Sequence, residues 1–312
     1  MNILNERITM NNLKKIGLSA LAGSLALATS AQAFDASVSV ESQVVYSSAQ
    51  GNEAATEASN GKGIGVDTDI AFSGSGELDM GWTVSVSHVL DTAEAVTNSS
   101  TQMAVGMGSL GTFQFNQDGG SSSNGIDDVL PFAYEEPWDG TPTTNEGNIF
   151  GAAVNQGSVT YKTPAFELPM GVTASLTADY DPQAGVAAPT PGAVGADGAS
   201  GEAYTIKLAH ESGLTLGGGN MKVGNTATRV GESAATGYAK YSNGGLTVGY
   251  QEFYYNNHTG GADTDGDGMA IAYTAGDVTI SYSVMTEQTN AHGATAALEE
   301  EEISAFQAAY TM

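Results

Sequence analysis

The sequence has 312 residues, of which 41 are glycine, 8 are proline and none is cysteine. Only 14% of the residues are charged, against about 25% in an average soluble domain, and acidic side chains outnumber basic ones by 35 to 9. These values exclude a disulfide scaffold, a thiolate metal site and a cysteine nucleophile, and the negative charge disfavours nucleic acid as a partner.

The amino-terminal segment has the layout of a secretory signal peptide. Two lysines at 14–15 precede an apolar run at 16–28, and small residues at Ala31 and Ala33 occupy the positions that a signal peptidase reads. The run is too short to span a membrane as a helix, and no later window approaches the ~18 apolar residues that such a helix needs. We therefore predict a signal peptide at 1–33, with translation from Met1 or from Met10 both compatible with the pattern.

Apolar and polar residues alternate along most of the remaining chain, for example at 38–46, 82–86, 204–208 and 278–284. Period-two alternation in runs of about ten residues, separated by turn residues, predicts strands. We predict about fourteen strands, which begin near residues 36, 64, 81, 101, 111, 157, 170, 202, 213, 234, 245, 268, 277 and 302. In the run from 213 to 223 the alternation changes phase, and we attribute the change to a glycine bulge at 217–219.

The predicted connections between strands are of two kinds. Short turns are predicted at 211–213, 243–245 and 275–277, where glycine is present each time. Long polar loops are predicted at about 48–63, 91–100, 118–156, 181–200, 256–266 and 287–300. Short turns that alternate with long loops are typical of barrels in outer membranes. A soluble β-sandwich or barrel shares the alternation of side chains and stays an alternative.

Four segments carry a resemblance to a known family. They are MNNLKKIGLSALAGS at 10–24, GSLGTFQF at 108–115, NGIDDVLPFAYEEPWDG at 124–140 and SVTYKTPAF at 158–166. They resemble the leader, the fourth turn with the fifth strand, the third long loop and the sixth strand of Gram-negative general porins, especially those of alphaproteobacterial type. The resemblance implies an all-β fold: a transmembrane antiparallel β-barrel of sixteen strands over residues 34–312, assembled as a trimer, with the third loop at about 118–156 folded into the lumen.

Two features depart from the family pattern. Family members end on an aromatic residue, usually phenylalanine, whereas this sequence ends at Tyr310, Thr311 and Met312. The alternation also gives about fourteen strands rather than sixteen. A chain truncated at its carboxyl end, without a final hairpin, would explain both departures, and a true fourteen-stranded barrel is the alternative.

The resemblance also implies which residues line the constriction of the pore. Its acidic third loop corresponds to Asp127, Asp128, Glu135, Glu136 and Asp139. In the family, basic groups on the wall face this loop. Here the first five predicted strands hold no basic residue, because Lys62 falls in the loop before the second, and alternation directs Lys162 and Lys207 toward the lumen. Since acidic rings favour cations, we expect a cation-selective pore, with solvated loop acids as the alternative reading.

Three aspartates near the carboxyl end have the spacing of the first half of a calcium-binding loop. They are Asp263, Asp265 and Asp267. The twelfth position, where such a loop needs glutamate, is Thr274, and no helix is predicted on either side. A weak calcium site and a solvated hairpin loop both fit this pattern, and no other cofactor is predicted.

Together these features predict an outer-membrane porin, a water-filled channel for passive diffusion of ions and small hydrophilic solutes. The expected partners are outer-membrane lipid and lipopolysaccharide, further copies of the chain in a homotrimer, and small solutes and cations. Because the four histidines lack metal-ligand spacing and no nucleophile elbow is present, no enzyme is predicted. The alternatives are a non-conducting surface barrel with a structural or adhesive role and a soluble periplasmic β-protein.

Overall fold

A computed structural model describes residues 35–49, 61–91, 96–117, 124–126, 129–133, 157–184, 199–224, 231–257, 262–291 and 299–311. These residues form fifteen strands in one antiparallel sheet. In chain order they are β1 (Asp35–Ala49), β2 (Gly61–Glu77), β3 (Thr83–Asp91), β4 (Thr97–Gly106), β5 (Thr112–Gln117), β6 (Ser158–Lys162), β7 (Phe166–Leu168), β8 (Val172–Ala184), β9 (Ala199–His210), β10 (Leu214–Val223), β11 (Glu232–Asn243), β12 (Leu246–Asn257), β13 (Ala262–Ala275), β14 (Val278–Ala291) and β15 (Glu299–Tyr310). The predicted signal peptide lies outside the described residues.

Fourteen of these strands form a continuous meander in which each strand pairs with its neighbour along the path. The remaining strand, β7, has three residues and pairs only with the start of β8. Within the described residues β1 and β15 do not pair with each other. No described helix is long and apolar enough to cross a membrane. The prediction of an antiparallel all-β fold with about fourteen main strands is confirmed.

The two faces of the sheet differ in polarity. We call the face on which the third loop lies the inner face, and the register carries this assignment from strand to strand. The outer face holds large exposed apolar side chains, among them Val40, Val44, Val86, Phe113, Phe115, Leu176, Tyr204, Ile206, Leu216, Val248, Ile271, Ile280, Tyr282 and Phe306. The inner face holds polar side chains, among them Ser37, Ser73, Ser85, Gln102, Gln114, Asn116, Thr160, Gln251 and Ser281. An apolar outside and a polar inside suit a sheet that is surrounded by lipid.

Tight turns join the strands at one end of the sheet. The turns before β10, β12 and β14 occur at the three predicted places. Gly213, Gly244, Gly245 and Gly276 in these turns have φ values of 93°, 58°, 87° and 61°. Glycine adopts such left-handed conformations without the steric cost that a Cβ atom brings. The glycines therefore explain why the chain reverses direction here.

Gly213→Ala is expected to destabilise the folded sheet more than Gly276→Ala. Both changes place alanine at positive φ, which costs roughly 1–2 kcal/mol. A Cβ at Gly213 would also overlap the carbonyl oxygen of Ser242, whereas a Cβ at Gly276 meets no described atom within 4 Å. Overlap of this kind adds roughly 1–3 kcal/mol. The measurement is the temperature at which the detergent-folded protein loses its unheated gel mobility, and equal transition temperatures for the two variants would contradict the expectation.

The predicted glycine bulge in β10 is wrong. β10 pairs with β9 and with β11 without a shift of register, through residues 217–219 as well. Leu214 and Leu216 lie on the outer face, whereas Met221 and Val223 lie on the inner face, where each is 1% exposed. The apolar residues of β10 change from the outer to the inner face because the third loop covers the inner face at Met221 and Val223. The sequence signal that resembled a bulge therefore marks a docking surface.

The strands extend into most of the predicted loops, and two of these extensions affect residues named above. β2 begins at Gly61, so Lys62 lies within it rather than before it. β13 begins at Ala262, and its pairing with β14 includes the three aspartates of the predicted hairpin loop, of which Asp265 and Asp267 also pair with β12. Backbone pairing continues through these polar residues because β14 extends beside them as far as Ala291.

Candidate functional site

The described part of the third loop packs on the inner face of the sheet. Ile126, Val129 and Leu130 are only 6%, 8% and 6% exposed. Ile126 and Val129 join an apolar cluster that contains Ala184, Ala199, Ala203, Met221, Val223 and Ala234, with Tyr238 and Tyr255 at its edge. Burial of three such loop side chains stabilises the docked loop by roughly 5 kcal/mol or more. The loop segment is thus held against the wall of β8 to β12.

Two glycines on adjacent strands form the recess that receives the loop. A Cβ added to Gly249 would lie 2.8 Å from Pro131 Cδ and 3.0 Å from Leu130 Cδ2. A Cβ added to Gly268 would lie 2.8 Å from Leu130 Cδ1 and 3.1 Å from Met285 Cε. Real Cβ atoms do not approach that closely, so larger residues at either position would push the loop away from the wall. Alternation alone did not identify these glycines as part of the site.

Hydrogen bonds fix the loop at both sides of this recess. The Gln251 amide donates to the carbonyl oxygen of Ile126 at 2.8 Å and to the Thr236 hydroxyl at 2.9 Å. At the other side the backbone N–H of Ala133 donates to the Ser281 hydroxyl at 2.8 Å. Backbone groups that leave water need such partners. The strands therefore bind two backbone groups of the loop and also bury its apolar side chains.

The inner face of β1 to β5 is hydrophilic. A cavity of about 380 Å³ opens there. Its polar lining residues are Asp35, Ser37, Ser73, Ser75, Ser85, Ser87, Gln102 and Gln114. Hydroxyl and amide groups of this kind bind water and discriminate little among small polar solutes. This half of the wall can line an aqueous path.

Three carboxylates form a row across the first three strands. Glu41 on β1 lies opposite Asp69 on β2, and Asp69 lies opposite Asp91 on β3. The register places all three on the inner face, on the same side as the serines at 37, 73 and 87. Directly opposed like charges destabilise a sheet unless a counter-ion is near. The row therefore brings three carboxylates together on this part of the inner face.

A hydrogen-bond network joins β5, β6 and β8 on the inner face. Asn116 donates to the hydroxyls of Ser158 and Thr160 at 3.1 and 3.0 Å, and Thr160 donates to Asp179. Lys162 donates from Nζ to Gln114 Oε1 at 3.0 Å. Lys162 thus lies on the inner face with a polar partner. Its role in a constriction stays a prediction.

Two further lysines lie on the inner face. Lys207 of β9 is exposed there, on the same face as buried Ala203. Lys240 of β11 shares the face of Thr236 and Tyr238. Sequence reasoning named Lys207 and missed Lys240, although the alternation of Tyr238 and Lys240 with outward Tyr241 could have found it. Lys240 lies opposite Gly249, so it neighbours the recess that holds the loop.

The acidic residues predicted for the constriction are outside the described part of the loop. They are Asp127, Asp128, Glu135, Glu136 and Asp139. The structure describes the segments before and after the first two, Ile126 and Val129, on the inner face. The contribution of the five acids to a constriction stays a prediction.

The predicted calcium ligands lie on β13, on the outer face. Asp263 accepts hydrogen bonds from Tyr254 at 3.4 Å and from Asn256 at 3.3 Å, and Asp267 lies opposite Glu252. Side chains at alternate positions of a strand are about 7 Å apart, so Asp263, Asp265 and Asp267 form a line rather than a cage. Among the described residues no group of three or more His, Asp or Glu side chains is arranged to hold a metal. Calcium binding by these aspartates stays a prediction.

Comparison with known proteins places this geometry in a family. The profile of the Gram-negative porins matches residues 17–312. A comparison with curated proteins gives no significant sequence match.

Solved structures share the fold. OmpF of Salmonella typhi is similar with a TM-score of 0.59 and 11% identity, over 86% of this chain and 82% of OmpF. OmpT of Vibrio cholerae has a TM-score of 0.50 and 11% identity, over 91% of this chain and 98% of OmpT. A porin refined at 1.8 Å has a TM-score of 0.50 and 12% identity, over 86% of this chain and 94% of that porin. At these identities the likeness establishes a porin-type β-barrel fold. Because the family profile covers nearly the whole sequence, the chain belongs to the Gram-negative porins.

Proposed function

We propose that the protein forms a water-filled, cation-selective channel through which ions and small hydrophilic solutes diffuse passively across the outer membrane. The observation that carries the proposal is the opposite polarity of the two faces. The outer face is apolar and suits lipid, whereas the inner face is lined by hydroxyl, amide and carboxylate groups. The proposed function is that of a channel and includes no enzymatic activity.

Cation selectivity is supported by charge. The sequence has a formal net charge of −26. The in-register row of Glu41, Asp69 and Asp91 brings part of this charge to the inner face. Fixed negative charge in a confined aqueous space raises the local concentration of cations. The acidic residues at 127–139 would add to this field if they face the lumen as the family resemblance implies.

The assembly and the membrane contacts are part of the same proposal. The family resemblance supports a homotrimer, export by a signal peptide at 1–33, and contact with outer-membrane lipid and lipopolysaccharide. The apolar outer face supplies the surface for lipid. A trimer would show single-channel conductance steps in groups of three.

Liposome swelling tests passive diffusion. The mature chain is folded in detergent, and a change of gel mobility on heating shows that it is folded. The folded protein is reconstituted into liposomes, which are diluted into iso-osmotic solutions of neutral sugars of increasing size. We expect fast swelling with small sugars and slower swelling as size increases, and no swelling with heat-unfolded protein. Folded protein that inserts and gives no swelling with any sugar would contradict the proposal and favour a non-conducting surface barrel.

A further inference from the structure

Three consecutive glycines in β10 are not explained by a bulge, because the strand pairs through them without a shift of register. They occupy positions 217–219. Glycine in the interior of a strand often marks a place where another group comes close to the backbone. At Gly217 that group is the aromatic side chain of Tyr238 on the neighbouring strand β11.

The ring of Tyr238 lies over Gly217. The two residues are directly opposite each other in the pairing of β10 with β11. A Cβ added to Gly217 would lie 2.5 Å from Cζ and 2.6 Å from the hydroxyl oxygen of Tyr238, and the three atoms nearest to it all belong to this side chain. Real Cβ atoms do not approach that closely. The ring can therefore occupy this place only because residue 217 has no side chain.

The direction of the ring leaves room for the third loop on the other side of β11. There Tyr238 lies opposite Gln251 of β12. Gln251 is 1% exposed, and its amide donates to the carbonyl oxygen of Ile126 at 2.8 Å. Tyr238 also packs at the edge of the apolar cluster that Ile126 and Val129 join. Because the ring leans toward β10 and away from β12, it borders the docked loop without taking its place.

The same arrangement occurs once more on the inner face. The ring of Phe253 on β12 lies over its opposite residue on β13, Gly266, where an added Cβ would lie 2.6 Å from Phe253 Cζ. That Cβ would also lie 2.5 Å from the carbonyl oxygen of Thr286, so a substitution at Gly266 would disturb the pairing of the strands. At Gly217 the overlap is with a side chain alone. Gly217 is therefore the position at which the place of a ring can be changed with the backbone left intact.

A ring that cannot lie over Gly217 has to turn into the lumen. Pairing with β10 and β12 fixes the backbone of Tyr238 at an inner position. The side toward β12 is occupied by Gln251 and by the backbone of Ile126. Tyrosine has few rotamers, and the remaining direction points away from the sheet. In that direction the ring extends across the path of a solute.

We propose that Tyr238 is a size-determining residue of the channel, and that the absence of a side chain at Gly217 keeps its ring flat against the inner wall. This inference rests on the proposed channel function and adds an element of the wall to the third loop as a determinant of solute size. A solute that passes the docked loop on the side of β10 passes the flat ring. The ring therefore limits the lumen by its thickness instead of its length.

The first test compares the variants G217V, Y238A and G217V/Y238A in liposome swelling with sugars of increasing size. In G217V the ring is displaced into the lumen, so swelling is expected to slow several-fold with disaccharides and less with monosaccharides. Y238A should swell at least as fast as the native protein. In the Y238A background G217V should have no further effect, because no ring is left to displace. G237V is the matched control, since Gly237 is exposed on the outer face and an added Cβ would lie 3.9 Å from the nearest atom.

Two results of this comparison would overturn the proposal. Slowing by the same factor with and without Tyr238 would mean that the valine itself narrows the lumen. Native swelling in both G217V and G217A, in protein that folds by gel mobility, would mean that the place of the ring does not affect permeation. G217A adds a single carbon, which already overlaps the ring, and it serves where G217V folds poorly.

A second test does not require conduction. Tyrosine nitration of the detergent-folded protein by tetranitromethane, mapped by mass spectrometry, should be several-fold faster at Tyr238 in G217V than in the native protein. Nitration of Tyr255, at the edge of the same apolar cluster, should be unchanged. Equal nitration of Tyr238 in both proteins would overturn the proposal even where the native channel conducts. Faster nitration in a protein whose native form does not conduct would keep the contact with Gly217 and reject the channel, and with it the role in size selection.

Discussion

Channels with leucine at both Gly249 and Gly268 are expected to conduct more than the native channel and to pass larger sugars. Leucine at these positions occupies the recess that holds Leu130 and Pro131, where even a Cβ atom would come within 2.8 Å of the loop. Overpacking of a fitted contact costs roughly 1–3 kcal/mol at each site. At the upper end of this range the two sites together cost about 6 kcal/mol, which offsets the roughly 5 kcal/mol that burial of the loop side chains contributes to docking. The measurement is single-channel conductance together with the sugar size limit in liposome swelling.

The control for this prediction is Gly237→Leu. Gly237 is exposed on the outer face of β11, and the nearest atom to an added Cβ is 3.9 Å away. This variant should conduct as the native channel does. Leu130→Ala provides a second route to the same outcome, because it removes the side chain from the loop and leaves the strands unchanged. Native conductance and native size limit in both G249L/G268L and L130A, in protein that folds normally by gel mobility, would contradict the role of the recess.

Neutralising the carboxylate row, in the variant E41Q/D69N/D91N, is expected to lower the potassium-to-chloride permeability ratio. A monovalent ion that passes about 8 Å from one carboxylate in water gains about 0.5 kcal/mol. Three carboxylates together then favour potassium roughly tenfold at low salt and also disfavour chloride, so the ratio should change by about tenfold or more. The effect should weaken as salt increases, since the screening length falls from about 30 Å at 0.01 M to about 10 Å at 0.1 M. The measurement is the reversal potential of native and variant channels in matched salt gradients.

The variant E252Q/D265N/D267N is the control for the carboxylate row. It removes the same number of negative charges from the outer face, where Glu252 and Asp267 lie opposite each other. It should leave the permeability ratio close to the native value. Equal reductions by the inner and outer variants would mean that the net charge of the protein, rather than the inner row, sets the preference.

The sequence was sufficient for the main strands because most of them are apolar on one face only. Where lipid meets one face and water the other, alternation directly reports both the strand and its orientation. The turns before β10, β12 and β14 were also predictable, because glycines at positive φ mark them. The short strand β7 was missed, since three residues are too few to show a period.

The errors arose where this simple division of faces fails. In β10 the inner residues Met221 and Val223 are apolar because the third loop covers them, and sequence reasoning attributed the change of phase to a bulge. In β13 the aspartates lie on the outer face beyond the apolar positions, and their polarity resembled a loop. The recess formed by Gly249 and Gly268 could not be predicted from the sequence. A glycine reports nothing about which distant segment needs the space it leaves.

The reversal potential of the native channel in a tenfold potassium chloride gradient tests the central claim most directly. The purified mature protein is reconstituted in a planar bilayer, and the potential at zero current is read at neutral pH. A potential with the sign of potassium diffusion is the predicted result, because the inner wall carries the row of Glu41, Asp69 and Asp91. A potential of zero, or one with the sign of chloride diffusion, would contradict the account.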